Sequence, residues 1–178
     1  MDPFTYRERV TIPKLQINGT NDPYWVVDAN RFYWDDLVGP KFVCQIPNAG
    51  HGLEGGRTHA VSTLGAFVRH VASERPLPTL TWTTERSAEG RIRRSISCDV
   101  APRQVRFWSA TSQDLDFRDD RWEAKLMTRS AAADGDAESA TWTSLVVDPA
   151  EGNVAHYCEL LFEIDGVPYS LCTTIESN

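Results

Sequence analysis

The chain has 178 residues, 41% of them hydrophobic and 24% charged, with a formal net charge of −7. This is ordinary globular composition, enough for one domain or two small ones, and it excludes a chain disordered throughout. The acidic balance argues against a nucleic-acid partner, which calls for a basic face, and no run approaches the roughly 20 apolar residues that cross a bilayer.

Taken in order, the first residues place Met1 directly before Asp-Pro and an aromatic-rich stretch, which reads as an internal start of a longer protein. Val10 to Ile17 is β-branched and apolar, ends in Asn18-Gly19, and reads as a strand that tolerates Pro13 near its beginning or at an edge. From Val26 to Leu37 the apolar positions form a broad helical stripe, stopped by Gly39-Pro40. Phe42 to Ile46 predicts a second strand, closed by Pro47-Asn48-Ala49-Gly50. Thr58 to Ala72 predicts a helix whose Val61, Leu64, Phe67, Val68 and Val71 recur at three- and four-residue steps and so form its buried face. Strand, helix, strand, helix over residues 1–75 predicts parallel strands with helical crossovers.

Pro76-Leu77-Pro78 marks a boundary, and residues 79–178 have another period. Leu80 to Thr84, Arg91 to Cys98, Gln104 to Ser109, Trp122 to Thr128, Thr141 to Val147, Ala155 to Ile164 and Val167 to Ile175 are rich in β-branched and aromatic residues. Seven short strands separated by turn residues predict an all-β unit, an immunoglobulin-like β-sandwich. Alternation puts the basic run Arg91, Arg93 and Arg94 on a solvated strand face. Ser130 to Ser139, all small or acidic, reads as a mobile hairpin tip. The four cysteines lack CxxC spacing, which argues against zinc. Cys158 and Cys172 flank Ile164-Asp165-Gly166: a three-residue loop sets them opposite each other for a bridge, whereas a two-residue Asp-Gly turn points them to opposite faces.

Two loops carry reactive side chains directly after the first two strands: NGTND, ending at Asp22, and PNAGHG, containing His51. Functional groups in parallel α/β sheets collect at the carboxyl ends of strands, so both side chains are expected at one end of the sheet. A carboxylate that orients a histidine, and a histidine that takes a hydroxyl proton, are the acid and base of serine hydrolases. The order acid, then histidine, with the nucleophile upstream, is that of α/β-hydrolases. Their GxSxG elbow occurs nowhere here, and Ser62 lacks the flanking glycines that such a turn requires.

The string from Asp2-Pro3 through Pro13-Lys14-Leu15, NGTND, Tyr24-Trp25, Leu37-Val38-Gly39-Pro40-Lys41 and PNAGH resembles the PhoPQ-activated pathogenicity-related protein family. The resemblance implies a C-terminal part of a serine-type α/β-hydrolase, with Asp22 as triad acid, His51 as base and a β-rich region after the core. It also implies that the parent is commonly exported. Pro23 departs from the family, where an acidic residue is common. With the nucleophile absent, the chain reads as a fragment of a longer protein, the alternative being a degenerate relative that no longer catalyses. Alone it is expected to be inactive, and the parent chemistry expected is ester or peptide hydrolysis, with no cofactor and no metal.

Competing readings stand beside these. Asp28 is an alternative acid, read as a solvated helix residue, and Glu54 either contacts substrate or starts the next helix. His59, His70 and His156 read as structural. Trp82, Trp108, Trp122 and Trp142 either pack in a core or offer flat rings to a glycan, which would suit a secreted, non-enzymatic interaction protein. Two parallel strands are too few for a stable sheet, so the edge at Val10 to Ile17 is expected to pair with an upstream hydrolase segment or another copy.

Overall fold

The computed structural model describes residues 2–129, 140–147 and 151–178, so Ser130 to Ser139 lies outside the described residues. The described fold is mostly β: one α-helix and two sheets. After a 3-10 helix at Pro3–Arg9, β1 (Lys14–Gly19) and β2 (Lys41–Ile46) run parallel, Lys14 opposite Lys41 and Gly19 opposite Ile46. The helix α1 (Arg57–Ala72) follows. Then come β3 (Leu80–Arg86), β4 (Arg91–Cys98), β5 (Gln104–Ser112), β6 (Glu123–Leu126), β7 (Thr128–Arg129), β8 (Ala140–Val147), β9 (Asn153–Ile164), β10 (Val167–Cys172) and β11 (Glu176–Ser177).

The larger sheet has the order β1-β2-β10-β9-β5-β6, with β11 also on β9, and the smaller has the order β3-β4-β8-β7. Strand β2 is therefore shared. It pairs parallel with β1 on one side and, at Val43 opposite Cys172, antiparallel with β10 on the other. The expected segment Trp122 to Thr128 divides at Met127: β6 pairs with β5 in the larger sheet and β7 with β8 in the smaller. Met127 is buried at that crossing. One apolar cluster joins the two sheets, with Ile96 and Trp142 from the smaller and Phe107, Leu160 and Leu171 from the larger. Trp122 and Trp142 are buried, and Trp82 and Trp108 pack against the clusters, so these rings serve the core.

Three expectations change. The helix over Val26 to Leu37 is absent, and the segment holds only a 3-10 turn at Ala29–Phe32. Val26, Val27, Phe32, Tyr33 and Trp34 are weak helix formers, and Asp28, Asn30, Asp35 and Asp36 favour caps and turns. Asn30 and Tyr33 instead reach the sheet, hydrogen-bonding the Gln16 amide at 2.7 and 3.1 Å. The buried face of α1 is Ala60, Thr63, Ala66 and His70, not the valine-leucine stripe. Small residues let the helix lie close over β10, β2 and β1, with Ala60 joining Cys44, Ile46 and Leu15, so Val61, Leu64, Val68 and Val71 face outward. Arg94 departs from Arg91 and Arg93: it points inward with Ile92 and Ile96, fully buried. It donates to Thr84, Thr173 and the Thr174 carbonyl and pairs with Glu176.

The cysteines follow the two-residue alternative. Asp165 and Gly166, both at positive φ, form a two-residue turn with Val167 opposite Ile164. Mirror-image turns of this kind match strand twist, which is why Asp-Gly suits them. The register sets Cys172 opposite Glu159, one residue off Cys158, and all four thiols are free and buried.

His156 is fully buried, neither ring nitrogen has a hydrogen-bond partner among the described residues, and burial followed by the Arg94 charge pushes its pKa down to about 4. A histidine held neutral in the fold stabilises it fully above its unfolded pKa, and that contribution is lost as pH falls toward the folded value. Urea unfolding should therefore show stability decreasing by up to about 1.4 kcal/mol per pH unit between about pH 6.5 and 4 from this group. His156→Leu should flatten that slope.

Candidate functional site

Strand β1 ends at Gly19, and the chain turns through Thr20 and Asn21 to Asp22; β2 ends at Ile46, and the chain turns through Asn48 to His51. Because the strands are parallel neighbours in register, both loops leave the same end of the sheet. They touch there. The Thr20 amide donates to the Ile46 carbonyl and the Asn21 amide to the Ala49 carbonyl, each at 3.0 Å. This approach explains Gly19: a Cβ at that position would run into the Ala49 and Gly50 carbonyl oxygens.

The side chains meet. His51 Nδ1 lies 2.8 Å from Asp22 Oδ2. Asp22 is 5% exposed, and its other oxygen accepts the Tyr24 amide at 2.8 Å and the Trp25 amide at 3.3 Å. Burial opposes the charge on Asp22, but the Tyr24 amide, His51 and the Trp25 amide outweigh it and hold the carboxyl below its usual range. The imidazole is 56% exposed, with the Tyr24 ring edge-on at 4.9 Å. With Nδ1–H donating to the carboxylate, Nε2 carries the lone pair, and no described residue hydrogen-bonds it. A buried, charged acid thus orients an accessible base, an arrangement that can accept a proton from a hydroxyl brought to Nε2. An apolar groove of about 760 Å³ runs nearby, lined by Phe4, Val26, Phe32, Leu37 and Trp25, the last of which also bonds Asp22.

The other candidates fall elsewhere. Asp28 is buried rather than solvated, accepting from Ser177 at 2.8 Å and pairing with Arg31 at 2.6 Å, away from His51. Glu54 is exposed beside Gly50 and Gly52, preceding α1. Ser62 lies on α1, its hydroxyl donating to the Pro168 carbonyl. His70 bonds the Tyr169 hydroxyl at 3.0 Å.

His59 belongs to a second polar cluster that sequence patterning missed. Its Nε2 lies 2.6 Å from Ser170 Oγ, 3.7 Å from Glu159 Oε1 and 4.0 Å from Cys44 Sγ. Hydrogen bonds from Cys172 and His59 hold the Cys44 thiol well below its usual range, while Cys44 raises His59. All three partners meet the same ring nitrogen, whereas a catalytic relay needs its acid and its nucleophile on different nitrogens. The cluster forms from β2, α1, β9 and β10, so no short motif announces it. Among the described residues no group of His, Cys, Asp and Glu is arranged to hold a metal ion.

Two comparisons bear on this site. The family model for PhoPQ-activated pathogenicity-related protein matches residues 1–118, which include both loops. Autocrine proliferation repressor protein A of Dictyostelium discoideum is 31% identical over 127 residues, covering 68% of this chain and 26% of that protein. The chain thus spans about a quarter of the length of the curated relative it matches.

Asp22→Asn should move the ring proton of His51 from Nδ1 to Nε2, because an amide can present a donor to Nδ1, and ¹⁵N chemical shifts of the histidine ring distinguish the two tautomers. Gly19→Ala should cost about 1–3 kcal/mol in urea unfolding, since the added methyl forces the two loops apart.

Proposed function

The chain belongs to the PhoPQ-activated pathogenicity-related protein family, and from that premise we propose that it carries the acid and base of a serine-type α/β-hydrolase acting on ester or peptide bonds. His51 is the general base and then the general acid. Asp22 fixes its tautomer and stabilises the imidazolium. The nucleophilic serine belongs to an upstream part of a longer parent, so this chain alone is inactive. No metal or cofactor enters this chemistry. What carries the reading is the 2.8 Å contact between a buried carboxylate and the Nδ1 of an accessible histidine, both at the carboxyl ends of adjacent parallel strands. The apolar groove is lined by Trp25, whose amide bonds Asp22, but not by Asp22 or His51 themselves, and it gives an apolar portion of a substrate a place to lie beside the dyad.

On this reading residues 1–75 are the C-terminal segment of an α/β-hydrolase sheet and residues 79–178 an immunoglobulin-like sandwich joined to it along β2 and β10. The free edge of β1 pairs with the upstream hydrolase segment or with a second copy. The outward stripe of Val61, Leu64, Val68 and Val71 on α1, 42–68% exposed, supports such a covering partner.

A second reading has one specific observation in its favour, the name of the Dictyostelium relative, a proliferation repressor. It makes the parent a secreted interaction protein in which the hydrolase-like part is a scaffold and the β-rich half binds a partner. A GxSxG serine upstream in the parent favours the enzyme.

Turnover of an activated aryl ester by the parent decides between them. Under the hydrolase reading His51→Ala and Asp22→Asn each lower kcat by about 10,000-fold, with this chain alone at background. A folded parent with no turnover, or turnover indifferent to His51→Ala, contradicts it.

A further inference from the structure

The dyad's two loops are held by more than their own strands. Asn48 sits at φ 56°, a left-handed conformation that asparagine tolerates, and its side chain clasps the backbone of Trp122. Its Oδ1 accepts the Trp122 amide at 2.8 Å, and its Nδ2 donates to the Trp122 carbonyl at 3.0 Å. Asn21, adjacent to Asp22, donates from Nδ2 to the carbonyls of Arg118 and Asp120 at 2.8 Å each, with that of Phe117 at 3.4 Å. Thr20 links the asparagines: its hydroxyl accepts the Asn48 amide at 2.8 Å and donates to Asn21 Oδ1 at 2.8 Å. Arg118 adds a contact to the Pro23 carbonyl at 3.4 Å. The hydrogen bonds form a closed circuit from the 117–122 segment through Asn48, Thr20 and Asn21 back to the same segment.

The far side of that circuit is packed into the core. Phe117 and Trp122, which bound the segment, are 2% and 1% exposed, lie with ring centroids 6.4 Å apart, and place Trp122 5.4 Å from Tyr157 of β9. Both asparagines bind main-chain atoms, so what they sense is the path of the segment rather than its side chains. Catalytic geometry tolerates little error, since a displacement of about 1 Å can cost on the order of 100-fold in rate. A loop with a free end at Asp22 or His51 would not hold that tolerance.

We propose that the 117–122 segment of the β-rich half is a third structural component of the Asp22–His51 site, with Asn21 and Asn48 as positioning residues that tie the dyad to the β9 core. This rests on reading Asp22 and His51 as an acid–base pair, and it makes the β-rich half part of that site rather than an appended module. Conformational disturbance around Trp122 is then transmitted to the histidine through the asparagines.

The test uses the full chain and reads the His51 Nδ1 proton by NMR, not turnover, so failure of this inference and failure of the hydrolase reading are told apart. Asn48→Gly keeps the left-handed backbone and deletes both bonds to Trp122. Asn21→Ala deletes those to Arg118 and Asp120. In each variant the Nδ1 proton should exchange with water at least about ten-fold faster, while amides of β3 and β4 keep their shifts. An unchanged Nδ1 proton in both variants, with the Trp122 amide now exchanging freely, overturns the proposal. Should a variant not fold, hydrogen exchange in the unaltered chain decides. Amides of Thr20, Asn48 and Trp122 that open as one unit support it, whereas Thr20 and Asn48 opening about 100-fold more readily than Trp122 overturns it.

Discussion

Strand β2 carries the architecture. A parallel pair such as β1 and β2 exposes too much backbone to stand alone, because parallel strands are stable when they are buried on both faces within a larger sheet. Here β2 gives one edge to β1 and the other to β10, at Val43 opposite Cys172. Through β10 it joins the long strand β9, which is buried along most of its length and pairs with β5, β10 and β11. One face of β1 and β2 is closed by the small-residue side of α1, and the other meets the loop that Asn30 and Tyr33 anchor to Gln16. The two halves of the chain, distinct in periodicity, therefore share a continuous sheet.

The same join determines what meets at the end of the sheet that carries Asp22 and His51. Parallel register brings the Asp22 and His51 loops off one end, and Gly19 lets their backbones touch. Antiparallel continuation through β10 and β9 brings the 117–122 segment, which follows β5, against those loops. Asp22, His51 and the 117–122 segment thus come from three places in the chain that only the completed sheet assembles.

Much of this was legible in the residues, for physical reasons that differ by element. Strands such as Arg91–Cys98 announced themselves through alternation between turn signals, and the observed strand has those bounds. Asp22 and His51 were legible because each follows a strand through a compact turn with its own sequence signature. The segment from Val26 to Leu37 was not, since a broad apolar stripe fits a helix and a packed loop equally, and side-chain bonds from Asn30 and Tyr33 to Gln16 decide the matter. The outward stripe on α1 misled because hydrophobicity does not say which of two apolar faces a helix buries. Arg94 and the Cys44–His59–Glu159–Ser170 cluster rest on contacts between distant strands and left no local pattern. Asn21 and Asn48 stood in plain view, but their partners are main-chain atoms some 70 to 100 residues away, which no side-chain pattern encodes.

The central claim is that Asp22 and His51 are the acid–base half of a serine hydrolase whose nucleophile lies upstream. Labelling the full-length parent with a fluorophosphonate probe, which reacts only with activated serines, tests it most directly. The account predicts one labelled serine upstream of Met1, labelling abolished by His51→Ala, and none on this chain alone. A folded parent that takes no label, or one labelled equally well without His51, would contradict it.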